Sequence, residues 1–305
     1  MKHLAMFPLL VLGLSLWAGA QTRGGKREMP FVRQAQVGKA FSVSWEPSGL
    51  VNGSACLFRV KPAQALRALH GKWLGRQIFF DFDASTGTWY GLAGVGLDTA
   101  AGTYQLALNA TALNGAHVSS SHSVQVGKAI YRTDRLSVPR KFTEPDAEMR
   151  VRIRQEQALK REAFRRVTAM RLWQGRFVPA INSVTTGEFG ERRTFNGKVQ
   201  SVHQGLDFRA EVGTPVSALN SGRVLLAHEM FYEGGFVVLD HGYGWLTLYM
   251  HLSALKVKAG DRVAKQQTIA LSGESGRSTS AHLHVGVRWQ GLYIDPAILL
   301  NLQLP

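Results

Sequence analysis

Short apolar runs separated by turn residues fill the chain from residue 30 to about residue 126. Six of these runs are interpreted as strands: 40–45, 55–60, 77–82, 89–92, 104–110 and 118–126. Gly, Pro, Asn and Asp lie between the runs, as is typical of turns. Repeated short strands at this spacing predict an antiparallel β-sandwich over residues 30–127.

One tyrosine in this stretch gives the sandwich a more specific character. Asp98, Gly102 and Tyr104 precede an alternating run in the order Asp-x-x-x-Gly-x-Tyr. This order resembles the tyrosine corner of immunoglobulin-like domains, in which the Tyr hydroxyl hydrogen-bonds a nearby loop. The resemblance implies that the N-terminal sandwich is immunoglobulin-like.

The other chemically distinctive residues of the sandwich are expected to be structural. The aromatic residues could form a binding face, but a place in the core is favoured; they are Trp45, Trp73, Phe79, Phe80, Phe82 and Trp89. The histidines lack ligand-like partners and are expected at the surface; they are His70, His117 and His122. Cys56 is the single cysteine, so an internal disulfide is excluded and a small buried side chain is expected.

A connector and a basic helix are predicted over residues 128–176. Pro139 and Pro145 favour an extended connector, and Thr143 is the predicted N-cap of a helix over residues 146–171. Three acid–base pairs at four-residue spacing support the helix; they are Glu148 with Arg152, Glu156 with Lys160, and Glu162 with Arg166. An apolar stripe is also predicted; its members are Leu159, Ala163, Val167 and Met170.

The basic residues of this helix allow two interpretations. They could attract an anionic wall polymer or lipid, or they could form an ordinary solvated face.

Strand-like runs resume after residue 216 and continue to residue 289. The predicted strands are 223–227, 236–239, 245–249, 268–271 and 284–289. Turns that contain Gly separate them, so the pattern predicts an antiparallel sheet folded around a groove, within a C-terminal domain over residues 177–305. The predicted fold class is therefore mainly β, with one connecting α-helix.

The first twenty residues are typical of a signal peptide. Lys2 precedes an almost unbroken apolar run over residues 4–17, and Ala18-Gly19-Ala20 is a small-x-small cleavage site. The run is shorter than a membrane-spanning helix needs, although a retained N-terminal anchor is the alternative. The sequence thus predicts export across an inner membrane to the periplasm or cell envelope.

The charge of the chain points to anionic partners. Lys and Arg number 36 against 21 Asp and Glu, which gives a formal net charge of +15. Such a charge favours nucleic acid, acidic lipid or an anionic cell wall. Because export removes the chain from nucleic acid, envelope polymers or a membrane surface are the expected partners.

Five side chains between residues 203 and 284 suggest a metal site. His203 precedes Asp207 by four residues, with a Gly between them that favours a turn into a strand. In a strand, His282 and His284 would share one face while the intervening Leu enters the core. Two imidazoles and one carboxylate are ligands that tetrahedral Zn²⁺ accepts while a fourth position stays open to water. His251 is the fifth side chain.

The order of these motifs resembles a known family. The matching segments are His203-x-x-x-Asp207, 213–218, 222–224, 240–242, 249–252, 257–263 and His282-Leu-His284. They resemble the LytM/lysostaphin-type zinc endopeptidases of peptidase family M23, and the resemblance extends from Phe177 to Pro296.

The resemblance implies roles for the five side chains. His203, Asp207 and His284 would bind one Zn²⁺, while His251 and His282 would face the metal-bound water and the substrate. The two remaining histidines of this region are expected to be structural; they are His228 and His241.

The expected function is that of a secreted zinc metalloendopeptidase. It would hydrolyse the peptide cross-links of bacterial peptidoglycan by attack of zinc-bound water, so stem and cross-link peptides are its expected partners. One alternative is a non-catalytic LytM-like module that activates a cell-wall amidase. Another is a secreted protease that acts on Gly-rich proteins.

Two positions depart from the family pattern. Relatives often carry a Tyr shortly before the first ligand as an oxyanion donor, but residues 194–202 contain none. Arg193, Asn196 and Tyr249 are the candidate replacements. Ser280-Ala281 stands where the family has Gly-Pro before its His-Leu-His motif, which concerns the loop rather than the ligands.

Overall fold

Residues 34–305 are described by a computed structural model of the chain. The signal peptide predicted at residues 1–20 lies outside the described residues, as do the first four residues of the predicted sandwich. The described part is mainly β, as predicted. Within it, no helix is long and apolar enough to cross a membrane.

The N-terminal half forms the predicted sandwich. Its strands are β1 (Gln34–Val37), β2 (Phe41–Glu46), β3 (Leu50–Val51), β4 (Ala55–Pro62), β5 (Leu66–Trp73), β6 (Arg76–Asp83), β7 (Thr88–Gly94), β8 (Gly102–Ala112) and β9 (His117–Gly127). The strand order is β1-β2-β4-β7-β6-β5-β8-β9-β3, and β6 pairs with a neighbour in each layer. The layers meet where the Phe58 and Trp73 rings pack edge to face with centroids 5.5 Å apart.

All six strands predicted for the sandwich are present, and three others were missed. The missed strands are β1, β3 and β5. The sequence of β5 contains Ala and Leu in place of the β-branched residues that usually mark a strand, so its pairing with β6 and β8 decides its conformation.

The tyrosine corner is confirmed. The Tyr104 hydroxyl donates a hydrogen bond to the carbonyl oxygen of Ala100 at 2.8 Å. The core prediction is confirmed for Trp45, Trp73 and Phe80 but is wrong for Phe82, which is 53% exposed at the end of β6.

The surface prediction is wrong for His122. This histidine shares the inward face of β9 with Val124 and Val126, and it is buried. Its ring hydrogen-bonds the Ser120 hydroxyl at 3.0 Å. Cys56 is buried in β4, as expected, and burial raises the pKa of its thiol.

The connector contains the predicted helix and two short elements that the sequence did not indicate, a strand and a 3-10 helix. It includes strand β10 (Thr133–Leu136), a 3-10 helix (Arg140–Phe142) and helix α1 (Ala147–Arg165). Asp146, and not Thr143, caps α1, because its side chain accepts a hydrogen bond from the Met149 N–H at 2.8 Å. The capping prediction was therefore wrong by three residues.

Helix α1 ends six residues before the predicted boundary. The backbone beyond it hydrogen-bonds the C-terminal sheet, since Thr168 O accepts from Tyr243 N and Leu172 N donates to His241 O. The predicted apolar stripe is wrong except for Ala163; its other members are exposed, namely Leu159, Val167 and Met170.

The predicted acid–base pairs of α1 are also replaced by others. The observed pairs are Arg152 with Glu156, Arg165 with Glu162, and Lys160 with Glu233 in the turn between β16 and β17. The predicted pairing considered the helix alone, whereas Glu156 also accepts from the Phe231 N–H in the β16–β17 turn, and Glu233 lies in that same turn.

The C-terminal half is an antiparallel sheet, as predicted. Its elements are β11 (Thr185–Gly187), β12 (Arg192–Phe195), β13 (Val199–Val202), β14 (Gly205–Arg209), β15 (Pro215–Ser217), β16 (Gly222–Met230), β17 (Gly234–Gly242), β18 (Trp245–Leu255), β19 (Arg262–Val263), β20 (Thr268–Ser272), β21 (His282–Trp289), β22 (Leu292–Ile294) and α2 (Pro296–Asn301). The central order is β11-β14-β21-β18-β17-β16-β19. Strand β10 pairs in parallel with β12 and extends the β12–β13 hairpin.

One hydrophobic core runs through both halves. Trp245 Nε1 donates to the Leu92 carbonyl oxygen at 3.4 Å, and a Cβ at Gly94 would lie 2.5 Å from Ile294 Cδ1. At the edge of this contact the Phe79 and Tyr243 rings stack with centroids 4.7 Å apart. The two halves are therefore packed together. The domain boundaries given above from the sequence stay a prediction.

Candidate metal centre and active site

Two neighbouring strands and the turn before them position the three predicted ligands. Asp207 in β14 is paired directly with His284 in β21, so both side chains lie on the same face of the sheet. His203 lies two residues before β14 begins. His203 Nε2, Asp207 Oδ1 and His284 Nδ1 lie 2.9 Å from one another in every pairing.

This cluster fits a small divalent cation. Ligand atoms of a tetrahedral zinc site lie about 3.3 Å apart when each is 2.0–2.1 Å from the ion, close to the observed 2.9 Å. All three side chains are buried. Within residues 34–305, these residues form the one group of three or more His, Cys, Asp or Glu that could hold a metal ion.

Hydrogen bonds outside the cluster orient the ligand atoms. His203 Nδ1 lies 2.7 Å from the Glu188 carbonyl oxygen, so Nδ1 carries the proton and Nε2 presents its lone pair to the cluster. The Arg193 guanidinium donates to Asp207 Oδ2 and to Glu191 Oε2, each at 2.8 Å. The other carboxylate oxygen of Asp207 is therefore left to face the two imidazoles.

Two glycines leave room for these contacts. A Cβ at Gly205 would lie 2.4 Å from the Val285 carbonyl oxygen and 2.6 Å from His284 Nε2. A Cβ at Gly187 would lie 2.5 Å from both Asp207 Oδ2 and Arg193 Nη2. Any larger residue at either position would displace a side chain of the cluster.

The structure also brings His251 and His282 to the cluster. The His251 ring centroid lies 4.7 Å from that of His282 and 6.2 Å from that of His284. His282 Nε2 lies 3.7 Å from Asp207 Oδ1. Leu283 is fully buried, so the expected alternation of His282, Leu283 and His284 is confirmed.

His251 reaches this face because the backbone of β18 is distorted. Met250 is paired with His284, so simple alternation would place the next residue on the opposite face. His251 instead has φ 63°, and the register against β17 shifts between Tyr249, which pairs with Val237, and Leu252, which pairs with Gly235. A positive φ in a non-glycine residue is costly and is concentrated at functional sites.

Both of these histidines have one ring nitrogen occupied by a carbonyl oxygen. His251 Nδ1 lies 2.8 Å from Ser275 O, and His282 Nδ1 lies 2.8 Å from Ser280 O. A carbonyl oxygen only accepts, so each Nδ1 donates and each neutral ring keeps the Nε2 lone pair. The arrangement presents two potential proton acceptors beside the metal cluster.

The electrostatics of the site favour the protonation states that metal binding needs. Burial, together with the neighbouring histidine charges, lowers the pKa of His251 to about 3. Burial also lowers the pKa of His284 to about 4. Burial alone would raise the pKa of Asp207, but its contacts with the His203 and His284 rings in the metal-free site outweigh burial and hold that pKa well below its usual value. Neutral imidazoles and an ionised carboxylate are the ligand forms.

Of the three candidate oxyanion donors, only Arg193 contacts the cluster. Tyr249 is fully buried, and its hydroxyl accepts from Leu219 N at 2.9 Å. Asn196 hydrogen-bonds the backbone of Val138 in the connector.

The two histidines expected to be structural lie away from the metal cluster. His228 is exposed on β16. His241 is buried, with its ring nitrogens 2.8 Å from Ser221 O and 2.7 Å from Thr247 Oγ1.

Sequence reasoning missed the residues that hold the five side chains in place. Glu188, Ser275 and Ser280 act through backbone carbonyl oxygens, and such contacts have no signature in residue type. The sequence named Arg193 only as a candidate oxyanion donor, and it gave no signal for Glu191.

Comparisons with known proteins agree with this geometry. Residues 201–296 match peptidase family M23. Over 82 residues the chain is 44% identical to the peptidoglycan DD-endopeptidase ShyA of Vibrio cholerae, covering 27% of this chain and 19% of that protein. Over 84 residues it is 43% identical to the glycyl-glycine endopeptidase ALE-1 of Staphylococcus capitis, covering 27% and 23%. The aligned region thus spans about a quarter or less of these relatives.

A solved structure resembles most of the chain. A crystal structure from Pseudomonas aeruginosa, assigned to peptidase M23, matches with a TM-score of 0.62 at 24% identity. The match covers 82% of this chain and 94% of that one, and at this identity it shows the shared fold alone.

Proposed function

We propose, from the premise that residues 201–296 form a peptidase family M23 domain, that this protein is a zinc-dependent endopeptidase of bacterial peptidoglycan. The observation that carries the proposal is the buried cluster of His203, Asp207 and His284, with ligand atoms 2.9 Å apart and two further histidines beside it. The peptidoglycan substrate is inferred from relatives such as ShyA.

The donor set suits zinc, and His203, Asp207 and His284 would hold it. Bound there, the ion would supply Lewis acidity that polarises the scissile carbonyl and acidifies a water molecule. Burial of the three side chains limits competition from bulk water.

His251 and His282 are proposed to move the protons of amide hydrolysis. Hydrolysis requires a base for the proton of the attacking water and an acid for the leaving amine. Each ring keeps its Nε2 lone pair because its Nδ1 donates to a carbonyl oxygen. A neutral imidazole with this lone pair can accept the water proton and then donate it to the leaving amine. Arg193 holds Asp207 in its orientation from the side opposite the imidazoles.

The cell envelope is the proposed location. The signal-like residues 1–20 and the net charge of +15 support export toward an anionic envelope. Envelope polymers or a membrane surface would then be secondary partners beside the peptide substrate.

The test combines metal analysis with digestion of purified sacculi. We expect about one zinc per chain and release of muropeptides that mass spectrometry shows to be cut within the peptide cross-links. His284→Ala should lose both the zinc and the release. His228→Ala is the matched control, because it removes an exposed histidine outside the site and should retain both.

The alternatives give different products. An amidase activator would release whole stem peptides, and only when an amidase is added. A protease for Gly-rich proteins would digest an elastin-like substrate and leave sacculi intact. Absence of peptide cleavage by the zinc-loaded protein, or equal cleavage by His284→Ala, would contradict the proposal.

A further inference from the structure

The segment between β20 and β21 contacts both candidate catalytic histidines. The Ser275 carbonyl oxygen lies 2.8 Å from His251 Nδ1, and the Ser278 hydroxyl lies 3.2 Å from His282 Nδ1. Arg277 lies between these two serines in the chain. Its position therefore places it at the rim of the metal centre.

Two aromatic rings hold the Arg277 guanidinium. Its Cζ lies 4.5 Å from the Phe195 ring centroid and 5.0 Å from that of Tyr232. Phe195 is two residues from Arg193, which bonds Asp207, and Tyr232 precedes Glu233, whose carbonyl oxygen accepts from His251 N. Both rings therefore belong to segments that border the site.

Among residues 34–305, the hydrogen-bond donors of this guanidinium have no protein acceptor. In the described part of the chain, the Arg277 side chain makes neither an ion pair nor a hydrogen bond, although it is about half-buried. Glu233 is the nearby acid, but its carboxylate pairs with Lys160 of α1. Burial lowers the pKa of Arg277. Partly buried guanidinium groups are normally paired, because desolvation without a partner is costly.

A second arginine, Arg288, also lies between two aromatic rings, but away from the metal cluster. Arg288 Cζ lies 4.0 Å from the Phe164 ring centroid and 4.8 Å from that of Tyr293. Its Nη2 donates to the Gly291 carbonyl oxygen at 3.2 Å, while its Nε and Nη1 are buried without a partner among the described residues. It lies four residues beyond His284 on β21, about 13 Å along an extended strand. Arg288 therefore resembles Arg277 in its two aromatic neighbours and its incomplete pairing, but it is remote from the metal cluster.

We propose that Arg277 binds a carboxylate of the substrate peptide beside the scissile bond and makes the enzyme selective for acidic peptides over neutral, Gly-rich ones. A planar guanidinium binds a carboxylate through two parallel hydrogen bonds, which fixes orientation as well as charge. Stem peptides of peptidoglycan carry such carboxylates, whereas glycine bridges do not. The inference rests on the proposed function and specifies its substrate.

The test compares two synthetic cross-linked stem peptides that differ only in their free carboxyl groups. One peptide keeps the carboxylates that flank the scissile amide, and the other carries carboxamides there. For the zinc-loaded full chain we expect kcat/KM to be about 10- to 100-fold higher for the acid. Arg277→Met should reduce that preference to about 2-fold or less. Arg277→Lys should retain part of it, because lysine keeps the positive charge but cannot form the two parallel hydrogen bonds of a guanidinium.

Arg288→Met is the matched control, since it removes an arginine held by two rings away from the site. It should retain the full preference for the acid. If Arg277→Met does not fold, the wild-type preference and its partial loss in Arg277→Lys decide the question.

Measuring peptide affinity directly tests the role of Arg277 independently of whether the protein hydrolyses peptidoglycan. Calorimetry with a non-cleavable pair, in which a methylene replaces the scissile carbonyl, should show the same preference for the acid and its loss in Arg277→Met. Equal kcat/KM and equal affinity for acid and amide would overturn the inference while leaving hydrolysis intact. If neither peptide is cleaved, the proposed function fails, and the binding preference alone decides the role of Arg277.

Discussion

At the scale of single residues, His241 shows how a histidine inside this sheet differs from those of the metal centre. Its Nδ1 donates to Ser221 O, so its Nε2 accepts from the Thr247 hydroxyl. In the neutral His241 ring, both nitrogens are therefore hydrogen-bonded to the protein, and neither is free to bind a metal ion. Burial lowers its pKa to about 4.

We expect His241 to make the free energy of unfolding depend on pH. An unfolded histidine titrates near pH 6.5, so between pH 6.5 and about 4 the unfolded chain binds a proton that folded His241 does not. The stabilisation is therefore complete above pH 6.5 and is lost as the pH falls toward 4. We expect His241 to account for a loss of about 2 kcal/mol in the free energy of unfolding between pH 7.5 and pH 5.

Urea unfolding at the two pH values measures this contribution. His241→Asn should lose less free energy than the wild type over the interval, whatever its absolute stability. His117→Asn, which changes an exposed histidine, should behave as the wild type. An identical loss in all three chains would show that His241 does not carry the effect.

At the scale of elements, α1 is held to the C-terminal sheet by polar contacts more than by an apolar stripe. Glu156 is 6% exposed, and its Oε2 accepts from the Phe231 N–H at 2.9 Å while its Oε1 binds Arg152 at 2.6 Å. Lys160 pairs with Glu233, which borders His251. Phe164 packs on the cluster of β16 to β18 and on Arg288. The helix thus lies on the same sheet face as the candidate active site.

Replacing Glu156 should test this attachment. Glu156→Ala leaves the buried Phe231 N–H without an acceptor, and we expect a loss of about 1–3 kcal/mol in the free energy of unfolding. Glu156→Gln keeps an acceptor oxygen and should lose less than half as much.

Urea denaturation gives the global effect, and hydrogen exchange at the Phe231 amide gives the local one. Faster exchange is expected in Glu156→Ala but much less in Glu156→Gln. Equal stability and equal exchange in the two variants would mean that this contact contributes little.

At the scale of the whole molecule, the sandwich and the peptidase-like sheet support each other. Arg76 Nε donates to Gln290 O at 2.9 Å, and Gln290 Nε2 donates to Gln77 O at 2.7 Å. The Tyr243 hydroxyl donates to Asp81 at 2.9 Å; burial and this acid raise its pKa to about 12. Trp245 and Trp289, both fully buried, lie in the core that the halves share.

We therefore expect the chain to unfold in one cooperative step. Differential scanning calorimetry should show a single transition, with a calorimetric enthalpy equal to the van't Hoff enthalpy. A chain that begins at Gln174 would expose the tryptophans of the shared core and should not remain a folded monomer. Two separate transitions, or a stable truncated chain, would show that the halves fold independently.

The sequence by itself determined what depends on local pattern. Alternation and turn residues placed the six sandwich strands and the main C-terminal strands, because the two-residue period of a strand is visible in any short window. The same alternation put His282 and His284 on one face with Leu283 in the core. Motif order then gathered His203 and Asp207 with them.

Only the tertiary structure decided features that depend on partners distant in the chain. Strand β5 and the end of α1 follow from pairing with other elements. Alternation gives the wrong face for His251, and a positive φ corrects it. The carbonyl oxygens that orient the histidine rings come from residues such as Glu188 and Ser275, whose side chains are irrelevant to the contact. Backbone atoms are the same in every residue type, so their long-range contacts leave no trace in the sequence.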